Sequence, residues 1–462
     1  MHRLVILSNR VPGGGRGAQA GGLAVALGEA MRPGSLWVGW SGRSGGSTDV
    51  TTRTEHGVTY AVFDLTESQH RDYYNGFSNN TIYPLLLFRL GLMRFRAEEF
   101  AAYEEVNHRF AATALALMRP DDLIWVHDYH LMLTPRTLRA AGARQRIGFF
   151  FHTPFPPPAI FAVMPRAQSL LAGVCGADVI GFQTGGDRDG FLACVADLLD
   201  VTPEDDGSFM HGGRRVRTLV CPVGIDVEGF AQSAHLAAER LPAQRLRASL
   251  QGASLLFGAD RLDHAKGLPH RVEAFDLLLR QHPEHRRQVC YLQVAAPSRE
   301  EVAEYRRLRR EIDGCVGELN GRHGEADWIP LRYITRAAPR ATVAGFYRLA
   351  RVGVVTPLRD GFGLGAAEFV AAQHAADPGV LVLSRFAGAA SVLNAALLVN
   401  PFDSEAIADT LHRALTMPPE ERRARHATLS AQIRTHSAAN HATRFLATLA
   451  GGSERVQEAA YV

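Results

Sequence analysis

Val352-Gly-Val-Val-Thr356-Pro-Leu-Arg-Asp360-Gly-Phe-Gly-Leu-Gly-Ala-Ala-Glu368 is an apolar run that passes into a glycine-rich turn and then into a helix opening near Leu364. A buried strand, a loop with free backbone N–H groups and a helix N-terminus, in that order, form the repeating unit of doubly wound parallel sheets. The turn also sets two carboxylates, Asp360 and Glu368, beside those amides. Amides and the positive end of a helix favour anionic oxygens, while carboxylates accept hydrogen bonds from hydroxyls. Such a loop suits a polyhydroxylated, phosphorylated ligand, and a sugar nucleotide fits both halves of that description. The blander alternative is a turn-capping aspartate and a glutamate on a solvated helix face.

Outward from this stretch the same alternation recurs. Upstream and downstream, Leu255–Gly258, Val289–Val294, Trp328–Tyr333, Val380–Leu383 and Leu397–Val399 read as strands, separated by helical stretches such as Glu300–Leu319. Before Cys221-Pro-Val-Gly-Ile-Asp226 lies an earlier series, Leu4–Leu7, Leu123–Val126, Ile147–Phe151, Val179–Phe182 and Leu219–Val223. β-Rich runs alternating with amphipathic or alanine-rich segments predict parallel sheets with crossover helices. The expected class is α/β, with two Rossmann-like, doubly wound domains meeting near residue 226. Pro418 to Ala450 reads as helical, with Glu420 and Glu421 in a first turn. Ligands of such proteins sit at the carboxyl ends of the strands, so the cleft between two lobes is the expected site.

Composition agrees with this division. At 462 residues the chain exceeds one ordinary core, and two domains of roughly 200 residues are expected. Fifty basic residues against 47 acidic give a net charge of +3, which supports neither nucleic-acid nor membrane binding, so an anion site has to be local. Five scattered cysteines without a C-x-x-C pair suit a reducing cytoplasm. A strand begins within three residues of Met1 and no segment has the length of a membrane span, so a soluble protein without a signal sequence is expected. The sequence is compatible with a homo-oligomer.

Arg261-Leu-Asp-His-Ala-Lys266-Gly267 follows the strand at Leu255–Gly258. Two cations beside a glycine suit the charges of a diphosphate, arginine by a planar fork and lysine as a point charge. In glycosyl transfer they would stabilise the departing nucleotide; a surface ion pair with Asp263 is the competing reading. Near the N-terminus, Ser8-Asn-Arg10 precedes a glycine-rich stretch ending in Gly21-Gly22. It is not G-x-G-x-x-G and lacks an acidic residue at the ribose position, which disfavours a nicotinamide cofactor, although Gly22 could let a phosphate approach a helix start. His127-Asp128-Tyr129-His130 lies past one strand and His152 past another. The histidine spacing is loose for a metal and lacks a third ligand, so no metal is expected; Asp128 accepting from hydroxyls and His152 donating to a sugar oxygen is the preferred reading. No G-x-S-x-G elbow or activated cysteine points to acyl transfer.

Together, Leu7-Ser-Asn-Arg10, Ala20-Gly-Gly-Leu-Ala-Val25, Gly39-Trp-Ser-Gly42, Tyr73-Tyr-Asn75, Trp125-Val-His-Asp-Tyr-His-Leu131, His152-Thr-Pro-Phe-Pro156, Arg261-Leu-Asp263, Lys266-Gly-Leu-Pro269 and Thr356-Pro-Leu-Arg-Asp-Gly361 resemble glycosyltransferase family 20, the trehalose-6-phosphate synthases, across nearly the whole chain. The resemblance implies a GT-B fold: residues 1–226 as acceptor domain, 227–430 as nucleotide-sugar domain, and 431–462 as a helical segment crossing back onto the first. It implies a retaining transfer of glucose from a nucleoside diphosphate to glucose 6-phosphate, without metal or other cofactor. By matching positions, Arg10, Tyr74 and Arg299 would grip the acceptor phosphate, with Trp40, Tyr83 and Asp128 nearby. Gly22, Arg261, Lys266 and Glu368 would hold the nucleotide diphosphate, Glu368 through the ribose. His152, Asp360 and the loop Gly361, Phe362, Gly363 and Leu364 would hold the donor sugar. Asp128, His152, Arg261, Lys266 and Asp360 are the expected catalytic set. A front-face mechanism, in which the leaving oxygen helps deprotonate the acceptor, leaves the protein with positioning and charge stabilisation.

The chain departs from the family's usual Asp-Gly-Met-Asn-Leu-Val-Ala-Lys-Glu loop: Gly363 stands for the asparagine, Gly365 for the valine and Ala367 for the lysine. Tyr83 stands where a tryptophan commonly lines the acceptor site. Two readings therefore stay beside the first: a sibling transferase with another phosphorylated acceptor, such as glycerol 3-phosphate or a cyclitol phosphate, and a non-catalytic sugar-phosphate sensor.

Overall fold

The computed structural model of the chain describes residues 2–12, 27, 28, 30–299 and 302–451. Gly22 and the glycine-rich segment around it lie outside the described residues. The chain forms two compact units, one comprising Met1–Val223 and Ala438–Val462, the other Gly224–Ser437. The chain leaves the first unit after Val223 and returns to it at Ala438, against the expected boundaries at 226 and 430.

Among the described residues the first unit carries a nine-stranded sheet: β1 (Leu4–Arg10), β2 (Leu36–Ser44), β3 (Thr51–Glu55), β4 (Val58–Leu65), β5 (Leu123–His127), β6 (Arg146–Phe150), β7 (Val179–Phe182), β8 (Phe209–His211) and β9 (Arg214–Val220). Their order is β3-β4-β2-β1-β5-β6-β7-β9-β8. All neighbours are parallel except at the two edges, where β3 and β8 pair antiparallel to β4 and β9. The apolar stretches Leu4–Leu7, Ile124–Val126 and Ile147–Phe150 are almost wholly buried, as strands covered on both faces require. The strand order reverses between β1 and β5, which opens the crevice where doubly wound sheets bind ligands.

The last helix, Ala438–Leu449, completes this core. Phe445 stacks on Trp125 with ring centroids 4.6 Å apart and an interplanar angle of 12°. The ring fits a notch left by two glycines: a Cβ at Gly148 or Gly181 would stand 2.6 or 2.8 Å from it.

Among the described residues the second unit holds six parallel strands: β10 (Ser254–Arg261), β11 (Val289–Ala296), β12 (Leu331–Ile334), β13 (Val352–Val355), β14 (Val380–Ser384) and β15 (Leu397–Val399). Their order is β12-β11-β10-β13-β14-β15, with the reversal between β10 and β13. Leu256, Tyr291, Val352, Val382 and Leu411 belong to its main apolar cluster.

Two expected strands move. Leu219–Val223 is Arg214–Val220, because Pro222 cannot donate to a ladder and the earlier residues can. Trp328–Tyr333 contracts to Leu331–Ile334, since Pro330 interrupts pairing. Among the described residues no helix is long and apolar enough to cross a membrane.

Candidate active site

The loop after β13 and the loop after β10 meet at the second unit's strand reversal. Leu358 N donates to the Ala265 carbonyl at 2.7 Å. Gly267 makes the approach possible: at φ 64° it adopts a conformation that side chains resist, and a Cβ there would lie 2.7 Å from the Thr356 carbonyl. The result is a direct ion pair, Lys266 Nζ to Asp360 Oδ2 at 2.5 Å, with the side chains 15% and 25% exposed. Burial works against the lysine's charge, but Asp360 and Asp260 outweigh it and hold the ammonium above its ordinary pKa. Asp360 Oδ1 also accepts from Gly361 N at 3.0 Å, and Asp360 N donates to the Phe386 carbonyl, so the carboxylate is fixed from its own backbone.

Arg261 and Arg299 both face Asp263, at 3.6 and 3.7 Å. Burial pushes the Asp263 carboxyl up, but the two guanidinium groups prevail and hold it below the usual carboxylate range. Arg261 keeps half its side chain in solvent, whereas Arg299 is 6% exposed and also donates to the Tyr305 hydroxyl. Arg299 stands at φ 48°.

Glu368 lies on the helix Leu364–Ala372, which Gly363 opens at φ 84°. Its Oε1 takes two hydrogen bonds from Arg340, Nε at 3.1 Å and Nη2 at 2.9 Å. Burial nevertheless raises the Glu368 carboxyl above its ordinary value. Both bonds fall on one oxygen, Oε1. Phe362 is buried and its carbonyl accepts from Ala389 N at 2.8 Å, tying the loop to the segment after β14.

In the first unit, Arg10 ends β1 and stacks its guanidinium over Trp40, 5.3 Å from the ring centroid. Gly42, at φ 90°, leaves room for that guanidinium, which a Cβ would overlap. Trp40 contacts Tyr74 at 5.1 Å, and Tyr74 stacks on His130 at 5.9 Å and 14°. Tyr74 belongs to His70–Ile82, wound in wide π-type turns; Tyr83 N closes the last of them on the Ser78 carbonyl. Tyr83 is 8% exposed and stacks on Tyr129 at 5.5 Å, so it backs the aromatic wall from behind.

Asp128 follows β5 with φ 71° and ψ 170°, a region nearly reserved for glycine. Its Oδ1 accepts from His152 N at 3.2 Å and from the Thr153 hydroxyl at 3.3 Å. Burial lifts its carboxyl to about 6 against those hydrogen bonds. His152 Nε2 shares a 3.0 Å hydrogen bond with His127 Nδ1. Burial first, and then neighbouring histidines, push both imidazoles well below their ordinary pKa, so both are neutral.

Arg10, Trp40, Tyr74, Tyr83, Asp128 and His152 thus cluster in the first unit, and Arg261, Lys266, Arg299, Asp360 and Glu368 in the second. Sequence reading missed Arg340, which anchors Glu368, His127, which fixes His152, and Arg271. The last is 1% exposed and holds Asp260 at 2.5 Å and Thr356 at 2.9 Å beneath the loop. Only His127 left a signal, its place beside Asp128. Outside this set, His282, Glu284 and His412 stand close enough to share an ion. The two imidazoles are stacked at 3.7 Å and 11°, however, so their lone pairs lie in parallel planes and do not converge.

The sequence signature of glycosyltransferase family 20 spans residues 17–451. A trehalose-6-phosphate synthase of Sinorhizobium fredii is 43% identical over 467 residues, covering 98% of this chain and 100% of the relative. An α,α-trehalose-phosphate synthase (UDP-forming) of Burkholderia xenovorans, solved in complex with glucose-6-phosphate, superposes with a TM-score of 0.94 at 39% identity over 97% of this chain and 100% of that one. An Escherichia coli structure bound with UDP-2-fluoro glucose gives a TM-score of 0.92 at 41% identity, over 97% and 98%. The fold is GT-B, built of two Rossmann-like units. With its signature and full-length relatives in agreement, the chain belongs to glycosyltransferase family 20.

Proposed function

We propose that the chain is a retaining glucosyltransferase that moves glucose from a nucleoside diphosphate, a uridine nucleotide by likeness to its UDP-forming relative, to the anomeric hydroxyl of glucose 6-phosphate, forming trehalose 6-phosphate. The observation that carries this reading is the Lys266–Asp360 pair at the second unit's strand reversal. A buried ammonium held above its ordinary pKa is a fixed positive charge where a diphosphate departs. Arg261, half exposed and tethered to Asp263, supplies a second. Glu368 receives the ribose hydroxyls on Oε2, while Asp360 and Gly361 to Leu364 hold the donor sugar.

In the first unit, Arg10 over Trp40 binds the acceptor phosphate, with Tyr74 beside it. Asp128 and His152 hold sugar hydroxyls, the first as an acceptor. The bond from the anomeric carbon to the diphosphate oxygen breaks, the acceptor oxygen bonds the same face, and its proton passes to the departing oxygen. No protein carboxylate has to form a covalent intermediate. All five cysteines are free thiols, in keeping with the cytoplasm as the proposed site of this reaction.

Incubation with UDP-, GDP- or ADP-glucose against glucose 6-phosphate or glycerol 3-phosphate, with products identified by mass and NMR, tests the assignment. UDP release coupled to trehalose 6-phosphate is expected. A glycerol 3-phosphate product would move the chain to the sibling acceptor class, and absence of nucleotide release with every pair would overturn transfer altogether.

A further inference from the structure

At the amino ends of β6, β7 and β9 the first unit carries a cavity of about 800 Å³ lined by Arg139, Arg144, Arg146, Arg214, Arg215 and Arg217, with Asp178 the only acidic side chain among the described residues that line it. Arg146 opens β6, Asp178 immediately precedes β7, and Arg214 opens β9. His152 lies past the carboxyl end of β6, and Asp128 past the carboxyl end of its parallel neighbour β5. A five-residue strand, about 16 Å at 3.3 Å per residue, separates the two places. The cavity is therefore distinct from the site described above.

Among the described residues its charge is unbalanced. Asp178 is already committed: its Oδ2 accepts from Arg139 Nη2 at 2.6 Å and from Ile147 N at 2.7 Å. Arg139 directs three more donors at the carbonyls of Ala143, Gln145 and Gly176, at 2.8 to 3.1 Å, so this pair is structural. Arg215 is paired with Glu204 and Asp206. Arg144, Arg146, Arg214 and Arg217 have no carboxylate partner among the described residues. Arg214 Nε is buried without a hydrogen-bond partner. Burial, and then the charge of Arg214, lower the pKa of Arg139, a sign that these cations crowd one another. Like charges gathered in a concavity raise the energy of the empty state and focus a positive potential outward.

We propose that this cavity binds a small polyphosphate anion, a ligand with two or more adjacent phosphate groups. Four guanidinium groups without a carboxylate partner among the described residues match three or four negative charges, which a single phosphate does not supply, and each fork can hold phosphate oxygens bidentately. Among the described residues no aromatic side chain lines the cavity to stack a base. Recognition therefore rests on the phosphate chain, and inorganic tripolyphosphate and ATP bind alike.

Titration calorimetry with inorganic tripolyphosphate, ATP and orthophosphate tests this. It is run on the full chain carrying Lys266→Ala and Arg261→Ala, so that the proposed donor site is weakened. One binding event for tripolyphosphate is expected, matched by ATP, weaker for orthophosphate and weakened further by salt. Adding Arg214→Gln and Arg217→Gln should reduce tripolyphosphate affinity at least about tenfold. The same two changes should leave ligand-free turnover unchanged in the otherwise native chain, and in the Lys266→Ala, Arg261→Ala chain they should remove the rise in Tm that tripolyphosphate causes. Absence of binding in the Lys266→Ala, Arg261→Ala chain, equal affinity after the two further changes, or orthophosphate binding as tightly as tripolyphosphate would each overturn the proposal.

Discussion

Lys266 Nζ lies 2.5 Å from Asp360 Oδ2, across 94 positions of sequence. In the proposed reaction the carboxylate keeps the ammonium charged and aimed, and the ammonium meets charge that grows on the departing diphosphate. Lys266→Ala should lower turnover at least about tenfold, the scale of single preorganised charges. Asp360→Ala should also lower turnover, and the double variant should lose less than the product of the two single losses, because the residues act as one unit. Steady-state kinetics on the three variants checks this; multiplicative losses would contradict it.

Asp128 couples strain to titration. Its carboxyl titrates at about 6 in the folded protein and near 3.9 in an unfolded chain, so folding takes up a proton between these values. The penalty is absent below about pH 4, grows as pH rises and is complete above about pH 6 to 7. Asp128→Asn removes it and should stabilise the protein by about 2–3 kcal/mol at pH 8 but little at pH 4. Asp128→Gly should add relief of the backbone strain. Both should abolish most activity, and native turnover should fall as pH drops through about 6. Denaturation midpoints and rates across pH 4 to 8 measure all of this.

Gly42 is a positioning residue for Arg10. A methyl group there overlaps the Arg10 guanidinium and forces a backbone of φ 90° on a non-glycine residue. Gly42→Ala should raise KM for glucose 6-phosphate about tenfold, as loss of one charge-assisted contact predicts, with KM for the nucleotide sugar unchanged.

Arg340 should behave in the opposite way. Its loss frees Glu368 Oε1 and lets burial raise the carboxyl further. Arg340→Met should raise donor KM about tenfold, increasingly so as pH falls, and leave the acceptor KM untouched.

Gly363 has room for a Cβ but holds a left-handed backbone. A Cβ there would meet Asp360 Oδ2 at 3.6 Å and Ala387 Cβ at 3.7 Å, ordinary contact distances. Asparagine accepts the left-handed backbone at φ 84°, whereas valine does not. Gly363→Asn should cost about 1 kcal/mol for the left-handed backbone, lowering Tm by about 2–4 °C, and shift donor KM. Gly363→Val should destabilise by about 1–3 kcal/mol.

Much of this was legible in the sequence where chemistry is local. Val352–Val355 forms the strand its apolar run predicts, Leu364 opens the helix, and Lys266 and Asp360 sit at strand ends where the motifs put them. Long-range pairing was not legible. Arg340 stands 28 positions before Glu368, and nothing in either neighbourhood names the other. The Asp128 backbone strain belongs to the fold around it. β9 was misread because its first turn of residues, Arg214, Arg215 and Arg217, serves the cavity rather than the core, which hides the apolar alternation. β2 and β4 escaped because their tryptophans, glycines and tyrosine blur the period of two that marks a strand.

The seat of Phe445 in the Gly148–Gly181 notch has a consequence for biosynthesis. The first unit's sheet leaves the ribosome long before its last wall, because all of Gly224–Ser437 is translated in between. At about 5–20 residues per second that interval is tens of seconds at most. Throughout it, Trp125 and Phe150 have no covering helix, and the first unit matures only after the second has been made. Truncation before Ala438 should thus yield an aggregation-prone chain rather than an independent amino-terminal domain, whereas a permuted chain that joins the last helix directly to Val223 could close that core by itself.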